Sequence, residues 1–383
     1  MKKIYYLAYY SNDEKGKKRD AVPAADLQAS YLAQVFSKIG YEVEIIAPNA
    51  RYSGEKAFSI QKGFTKKINS TVTVRYFNCI ESKYRFVRSL AARLTYFSAF
   101  RYIKKHDGIW VIYHSRLFYP YYHLFQRLRR KYILELEEIY SDVIGNSRLR
   151  RKEIKEVKKA SAYILPSIPL AEEITDGKEY TLYHGSCRAE KKIGKGFQDG
   201  RIHVVYAGTF DPRVIGEHFS LIQAAQYLDK RYHIHIIGFG RNQADVDRII
   251  SDVHSMQGLP CKVSYDGLLL GDEYLAFLQS CHIGMFSKDP DGKDMNSSFP
   301  SKIMSYLGNG LRVVATRADS IETSEVGSIV YFCDSNKPED VAKAIMDVDM
   351  DTPYDSRKEL TEIENRLKKS LKHLMQNYKG KGE

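Results

Sequence analysis

The sequence predicts an α/β protein made of two doubly wound, Rossmann-like domains, and three observations support this prediction. The chain opens with an apolar strand at residues 4–10, an amphipathic helix at 25–39 and a second strand at 43–47, which is how a βαβ unit begins. A second series of the same kind starts with an apolar strand at 202–207. The length of 383 residues suits two domains of ordinary size.

The predicted domain boundaries follow from changes in composition. Residues 188–200 are polar and contain glycine, so we place an interdomain linker there, between a first domain at 1–190 and a second at 201–355. Residues 356–383 are predicted to form a helix and a tail. One face of this helix contains Leu360, Ile363, Leu367, Leu371 and Met375.

Charge is distributed unevenly along the chain. Lys and Arg outnumber Asp and Glu by 33 to 19 over residues 1–180, whereas they number 26 against 28 over residues 181–383. A basic surface on the first domain suits nucleic acid, an anionic membrane face or a phosphorylated acceptor, and charge alone does not choose among them. The five scattered cysteines include no CxxC pair, which favours reduced thiols in the cytosol. No apolar run is long enough to span a bilayer, so we expect a soluble or peripheral protein.

The second domain contains a loop, a short helix and an apolar strand in succession. Ser297 and Ser298 can cap a helix whose first turn contains Pro300, Ser301 and Lys302. The free N–H groups of such a first turn bind anions, and Lys302 adds a full charge beside them. We therefore predict a diphosphate site here. The alternative is ordinary capping with Lys302 in solvent.

The segment Ser301-Lys-Ile-(x)2-Tyr-Leu-(x)2-Gly-(x)2-Val-Val-Ala-Thr, with Val205-Tyr-Ala-Gly-Thr-Phe and Ile236-Ile-Gly-Phe-Gly before it, resembles the donor-binding half of retaining GT-B glycosyltransferases. The type it resembles is family four, the group-1 type, and the resemblance is clearest over residues 200–346. It implies the GT-B fold, in which two Rossmann-like domains face each other across a cleft and a C-terminal helix crosses back to the first domain. It also implies a metal-independent transferase whose substrate is a nucleotide sugar, with UDP as the expected nucleotide and no cofactor.

The resemblance also implies roles for single residues. An Arg and a Lys of the family contact the donor diphosphate. Arg213 can supply the first; Glu217 or a neighbour stands about where that lysine would be, and Lys302 can replace it. A histidine that follows a comparable strand reaches the donor sugar, so His114 takes that role, although a histidine at a strand end can also be satisfied locally. These three residues, His114, Arg213 and Lys302, form the predicted catalytic set. The predicted donor-binding residues are Gly208, Thr209, Gly238, Tyr265, Gly267, Ser297, Ser298, Phe299, Ser301 and Ser305.

One departure from the family pattern leaves alternatives open. Family members carry two glutamates eight positions apart, and Ser297 and Ser305 occupy those places here. An inverting GT-B enzyme of the glucuronosyltransferase type would instead need a base from the first domain, for which Glu137, Glu138 and Asp142 are candidates. A non-catalytic GT-B partner subunit is a further alternative. The hypothesis of a nucleic-acid-binding protein is supported by charge alone, so we expect no nucleic acid as partner. The Asp-x-Asp sequences at 289–291 and 349–351 are interpreted as turns, so no metal site is expected.

The basic surface of the first domain is expected to bind acceptor or membrane. A helix at 84–105 places Phe86, Leu90, Leu94 and Phe97 beside several cations, a pattern that suits an anionic membrane face. The alternatives are that this helix packs its apolar side on the sheet and that the basic loop near residue 17 is only solvated. The residues predicted for this surface are Lys17, Lys18, Arg19, Arg85 and Arg88. We therefore expect a cytoplasmic protein, peripheral on the inner face of the cell membrane, that transfers sugar to a saccharide or polyprenyl-linked acceptor in surface polysaccharide or glycolipid synthesis.

Overall fold

The computed structural model describes residues 2–12, 19, 23–48, 58–210, 217–292 and 294–378. The chain divides into two compact units, and each is described by itself. The N unit comprises Met1–Leu165, Ala171–Tyr183 and Arg366–Glu383, and the C unit comprises Pro166–Leu170 and His184–Asn365.

The N unit contains an eight-stranded sheet in the order β10-β9-β8-β7-β1-β2-β5-β4. The pairs are parallel except at the edge, where β4 runs antiparallel to β5. The strands are β1 (Lys3–Leu7), β2 (Glu42–Ala47), β3 (Ser59–Gln61), β4 (Phe64–Lys67), β5 (Val72–Tyr76), β6 (Cys79–Glu81), β7 (Ile109–Tyr113), β8 (Ile133–Glu135), β9 (Ala162–Leu165) and β10 (Tyr180–Leu182), and β3 pairs separately with β6. The helices are α1 (Pro23–Lys38), α2 (Arg85–Lys105), α3 (Tyr119–Arg127), α4 (Tyr140–Val143), α5 (Ser147–Val157) and α6 (Ile168–Ile174), which spans the division between the units.

The C unit contains a six-stranded parallel sheet in the order β13-β12-β11-β14-β15-β16. Its strands are β11 (Ile202–Phe210), β12 (Tyr232–Gly240), β13 (Lys262–Gly267), β14 (Ile283–Phe286), β15 (Arg312–Thr316) and β16 (Val330–Cys333). Its helices are α7 (Glu217–Ala224), α8 (Gln243–Ser255), α9 (Gly271–Leu278), α10 (Ser301–Gly308), α11 (Asp319–Glu322), α12 (Pro338–Met346) and α13 (Arg357–Asn377). Short 3-10 turns lie at Arg116–Phe118, Ala225–Tyr227 and Gly327–Ile329.

Both sheets have a topological switch point, where the strand order reverses. In the N unit it lies between the neighbours β1 and β7, and in the C unit between β11 and β14. Central strands such as β7 and β15 are buried along their whole length, as expected of parallel strands covered on both faces. Ligands of such sheets bind beyond the carboxyl ends of the strands at the switch point, so the topology indicates where to look for a site in each unit.

The predicted linker is part of the C unit. The Glu190 N–H donates to the carbonyl oxygen of Gly308 at 2.8 Å, and the Ile193 and Gly194 N–H groups donate to Oε1 of Gln279 at 2.7 and 2.9 Å. The division between the units therefore follows Tyr183, earlier than the predicted boundary at residue 190. The final helix α13 belongs to both units, because its residues up to 365 group with the C unit and those from 366 with the N unit.

Candidate functional site

The switch point of the C unit carries a charged cluster centred on Lys302. Nζ of Lys302, the second residue of α10, donates to the hydroxyl of Tyr206 at 3.0 Å and to the carboxylate of Glu217. The ammonium also lies 4.3 Å from the centroid of the Tyr206 ring, a distance at which a cation is attracted to an aromatic face. We call Lys302, Tyr206, Glu217 and Gly208 the Lys302 cluster.

The cluster is held in place at the ends of β11 and β14. Glu217 is only 7% exposed, and its backbone oxygen accepts a hydrogen bond of 2.5 Å from the hydroxyl of Ser287, which directly follows β14. The Tyr206 hydroxyl donates to the Glu217 carboxylate at 3.2 Å. Burial, and secondarily that carboxylate, raise the pKa of Tyr206 well above its usual value, so the phenol stays neutral and keeps its proton to donate.

Two glycines allow close approach at this edge of the sheet. Gly208 and Gly238 are register partners on β11 and β12. A Cβ atom on Gly208 would lie 3.0 Å from Nζ of Lys302, and a Cβ atom on Gly238, where φ is +140°, would lie 1.8 Å from the carbonyl oxygen of Gly208. Tyr265 donates its hydroxyl proton to the Gly238 carbonyl oxygen at 3.1 Å. The absence of a side chain at Gly208 therefore lets the Lys302 ammonium group lie directly against the backbone.

The prediction that Ser297 and Ser298 cap the short helix is wrong. The N-cap of α10 is Pro300, and no side chain of the described residues caps this helix. The Ser298 hydroxyl donates instead to the Asp294 carbonyl oxygen at 2.7 Å, because the preceding loop turns back on itself. Ser297 is 4% exposed, and its hydroxyl has no hydrogen-bond partner within the described part of the chain. No side chain of the described residues therefore caps the N–H groups at the start of α10.

Some of the other predicted donor-binding residues are exposed, and others contact side chains inside the C unit. Thr209 and Ser301 are exposed at the carboxyl edge of the sheet. Phe299 is buried against the ring of His184, with 4.7 Å between ring centroids, and Ser305 hydrogen bonds to Tyr274. Phe299 and Ser305 thus have structural contacts that their predicted role did not include. Gly267, at the end of β13, adopts a positive φ of 82°.

Sequence reasoning missed several residues at this edge. The contacts that Tyr206 and Glu217 make with Lys302 could not be predicted from the sequence, because Lys302 lies 85 positions from Glu217 in the chain. Phe239 and Leu268 are 48% and 52% exposed, each directly after a glycine near or at the carboxyl end of its strand. An apolar residue immediately after such a glycine was the available signal. Arg213, like Lys17 and Lys18, lies outside the described residues.

His114 does not fit its predicted contact with a sugar. It is 1% exposed, Nδ1 lies 3.0 Å from the Tyr122 hydroxyl, and Nε2 lies 2.8 Å from Oε1 of Glu153. Both ring nitrogens are therefore used inside the N unit. Burial raises the pKa of Glu153, but hydrogen bonds from His114 and Ser141 outweigh it, and the pKa is lowered overall. The locally satisfied histidine is the correct interpretation, because α5 brings Glu153 to the end of β7.

Two carboxyl groups, the buried Glu135 and the half-buried Glu137, lie at the carboxyl edge of the N-unit sheet. Glu135 accepts a hydrogen bond from the Tyr6 hydroxyl at 3.0 Å, and Glu137 accepts one from the Tyr113 hydroxyl at 2.8 Å. Burial raises the pKa of both groups, and the neighbouring Glu137 raises that of Glu135 further. Groups with such shifts in a sheet-edge site are candidates for proton transfer. Of the predicted bases, Asp142 is instead committed to an ion pair.

That ion pair is formed with Arg150, whose Nε lies 2.7 Å from the Asp142 carboxylate. Arg19 is held by hydrogen bonds inside the N unit and does not face an acceptor or a membrane as predicted. It is fully buried and donates to Oε1 of Gln61 at 2.6 Å and to the Phe77 carbonyl oxygen at 3.1 Å. Burial lowers the pKa of its guanidinium group.

Helix α2 exposes its large apolar residues. Its buried stripe consists of Ala91, Thr95, Ala99 and Ile103, while Phe86, Leu90, Leu94 and Phe97 are 80%, 50%, 52% and 58% exposed. The alternative that these large residues pack on the sheet is therefore wrong. Exposed cations on the same helix are Arg85, Arg93, Arg101, Lys104 and Lys105, and nothing is described of the Arg88 side chain. Among the described residues, no helix is long and apolar enough to cross a bilayer.

Comparisons with known proteins show the fold. No protein-family model matches the sequence, and no curated protein matches it. A structure titled as trehalose-6-phosphate from E. coli bound with UDP-2-fluoro glucose has 10% identity, a TM-score of 0.65 and 98% coverage of both chains. The trehalose-6-phosphate synthase OtsA has 9% identity, a TM-score of 0.65 and full coverage of both chains. The sucrose-phosphate synthase from Thermosynechococcus elongatus has 12% identity, a TM-score of 0.65 and coverage of 98% of this chain and 99% of that chain. These matches confirm the predicted GT-B fold.

Proposed function

We propose that the protein is a glycosyltransferase of the family-four type that moves a sugar from a UDP-linked donor to a saccharide or polyprenyl-linked acceptor. The observation that carries this proposal is the position of the Lys302 cluster beside an uncapped helix start, at the switch point of the C-unit sheet in a chain with the GT-B fold. A similar structure, bound with UDP-2-fluoro glucose, supports a nucleotide sugar as the donor.

The donor diphosphate would bind at the first turn of α10. An ammonium group has three protons to donate, and Tyr206 and Glu217 accept two of those of Lys302. The third is available to a phosphate oxygen, together with the N–H groups of the helix start. The dipole contributes about 0.3–1 kcal/mol, and a charge-assisted hydrogen bond from Lys302 contributes about 1.5–3 kcal/mol.

These groups would also stabilise the leaving diphosphate as the bond to the sugar breaks. Negative charge grows on the diphosphate in the transition state, so donors already placed beside it lower the barrier. The proposed transfer needs no metal at this position. Following the family, we propose that an acceptor hydroxyl attacks with retention at the anomeric carbon.

A second candidate is inversion with Glu137 as the base, and a specific observation favours it. Glu137 is held by the Tyr113 hydroxyl at 2.8 Å, and burial raises its pKa, which brings a carboxylate nearer to the value useful for proton abstraction. A third candidate, a non-catalytic subunit, is favoured by the ion pair between Lys302 and Glu217 and by serine at positions 297 and 305.

Incubation with a panel of nucleotide sugars tests these candidates. For an enzyme, we expect one donor to raise the melting temperature and to be hydrolysed slowly, and NMR of the released sugar would show retention or inversion. If the parent protein releases the inverted anomer and Glu137→Gln no longer hydrolyses the donor, the inverting mechanism replaces the retaining one. A donor that stabilises the protein without turnover would favour the non-catalytic subunit, and a panel without any stabilising donor would contradict a nucleotide-sugar site.

We also propose that α2 holds the protein peripherally on the inner face of the cell membrane, where it would serve surface polysaccharide or glycolipid synthesis. The support is the exposed row from Phe86 to Phe97 with cations on the same helix. Each Lys or Arg near an anionic surface contributes about 1 kcal/mol. Flotation with liposomes tests this, and binding that does not change with anionic lipid content would contradict it.

A further inference from the structure

Three buried histidines gather at the amino end of the C-unit sheet, far from the Lys302 cluster. His203 lies near the start of β11, and His233 and His235 lie near the start of the neighbouring β12. His203 and His233 are register partners, and alternation along the strand places His235 on the same face as His233. The three residues are 1%, 6% and 2% exposed. One ligand atom from each lies within 4.8 Å of the others.

Each ring uses one nitrogen to contact an oxygen atom at the edge of the group. Nε2 of His203 lies 2.8 Å from the Asp199 carboxylate, and Nδ1 of His235 lies 2.9 Å from the Asp266 carboxylate. Nε2 of His233 lies 3.0 Å from the Ser264 hydroxyl. A histidine that binds a metal commonly donates its other N–H to a carboxylate or another oxygen, which fixes the tautomer. All three outer nitrogens have this arrangement.

The second nitrogen of each ring has no oxygen partner among the described residues. Nδ1 of His203 lies 2.8 Å from Nε2 of His235. If both outer N–H groups point to their carboxylates, these inner nitrogens present lone pairs to each other, and only a proton or a cation between them removes the repulsion. Nδ1 of His233 is buried and has no hydrogen-bond partner within the described residues, and such unsatisfied groups are rare.

We propose that His203, His233 and His235 bind a divalent transition-metal ion, with Zn²⁺ as the best fit. Imidazole nitrogens suit zinc, which they bind at about 2.0–2.1 Å, so ligand nitrogens around a tetrahedral ion lie about 3.4 Å apart. The nitrogens of His203 and His235 that lie 2.8 Å from each other would therefore move apart by about 0.6 Å, and any ligand atoms as far apart as 4.8 Å would move closer by about 1.4 Å.

The ion would be structural. Gly208 and Gly238 follow His203 and His233 by five positions on their strands, which corresponds to about 16 Å at about 3.3 Å per residue. No transferred sugar at the carboxyl edge would touch the metal. The ring of Phe197 stacks on those of His203 and His235 at 4.0 and 5.1 Å between centroids, so an ion here would fix the segment that leads into β11. The proposal does not depend on the proposed transferase activity.

The test uses the full chain without a histidine tag, stripped of metal with EDTA. Zn²⁺ is titrated by calorimetry and Co²⁺ by its visible absorption. We expect one ion per chain, a melting temperature that rises with Zn²⁺, and loss of binding in His233→Gln. Asp266→Asn keeps all three ligands and should weaken binding about 10-fold to 100-fold, because residues that orient a metal-binding histidine through its other nitrogen have effects of that size. His254→Gln, at an exposed position on α8, is the control and should bind as the parent protein does.

The absence of stoichiometric binding of either ion in the folded parent protein would overturn the proposal. Parent-like affinity in both His233→Gln and Asp266→Asn would overturn it as well, since the ion would then bind elsewhere. If circular dichroism shows that His233→Gln does not fold, Asp266→Asn decides the question by its affinity alone.

Discussion

Replacing Lys302 with methionine is the sharpest test of the proposed donor site. The substitution keeps much of the side-chain length and removes the charge. If the ammonium group donates to a diphosphate, its loss costs about 1.5–3 kcal/mol, the range for hydrogen bonds to charged groups. The dissociation constant of UDP would rise about 10-fold to 150-fold.

The structure makes the expected loss larger than this single contact. Glu217 is 7% exposed and accepts a hydrogen bond from Lys302, so Lys302→Met leaves a poorly solvated carboxylate beside the diphosphate. Two like charges in such surroundings repel each other. Glu217→Gln removes that repulsion. The double variant should therefore bind UDP more tightly than Lys302→Met alone, yet still about 1.5–3 kcal/mol more weakly than the parent protein.

Calorimetric titration of UDP at one fixed salt concentration measures all four members of this cycle. Urea unfolding of each variant shows whether it is folded, and Lys343→Met, at an exposed position on α12, is a matched control that should change nothing. Parent-like affinity in the double variant would mean that Lys302 only neutralises Glu217. Parent-like affinity in Lys302→Met would remove the residue from the site altogether.

Three further predictions concern stability and the membrane. Gly238→Ala should lower the free energy of unfolding in urea by more than about 2 kcal/mol, because its Cβ would lie 1.8 Å from a backbone oxygen. Gly258→Ala, with φ of +88° and open surroundings, should cost only the left-handed backbone penalty of about 1–2 kcal/mol, and equal losses would contradict the steric argument. The pKa of Glu135 is raised by burial, so its contribution to stability is present below the unfolded value of about 4.3 and is lost as pH rises through the folded pKa. Glu135→Gln should therefore be more stable than the parent at pH 8 and similar at pH 4, and urea unfolding with the reverse order at pH 8 would show that the carboxylate is ionised and stabilising. Changing both Phe86 and Leu94 to serine should reduce the fraction bound to anionic liposomes at least about tenfold, and unchanged flotation would exclude this face of α2.

Local patterns in the sequence were sufficient for the two βα series, the short helix at α10 and the long final helix α13. Alternation of apolar residues and the positions of glycine depend on neighbours within a few residues, so such elements can be read directly. The resemblance added the GT-B fold. The same patterns did not predict the start of α10 correctly, because the hydroxyl of Ser298 is used by the loop before it.

The composition of the candidate sites depended on contacts between residues that are distant in the sequence. His114 is satisfied by Glu153, 39 positions away, and Lys302 is paired with Glu217, 85 positions away. His203 meets His235 only because β11 and β12 are neighbours in register. The sequence by itself therefore determined which elements form and which side chains are charged or apolar. Only the tertiary structure decided which of those charges are already paired. Pairing depends on strand order and helix placement, and neither can be derived from the spacing of residues in the sequence.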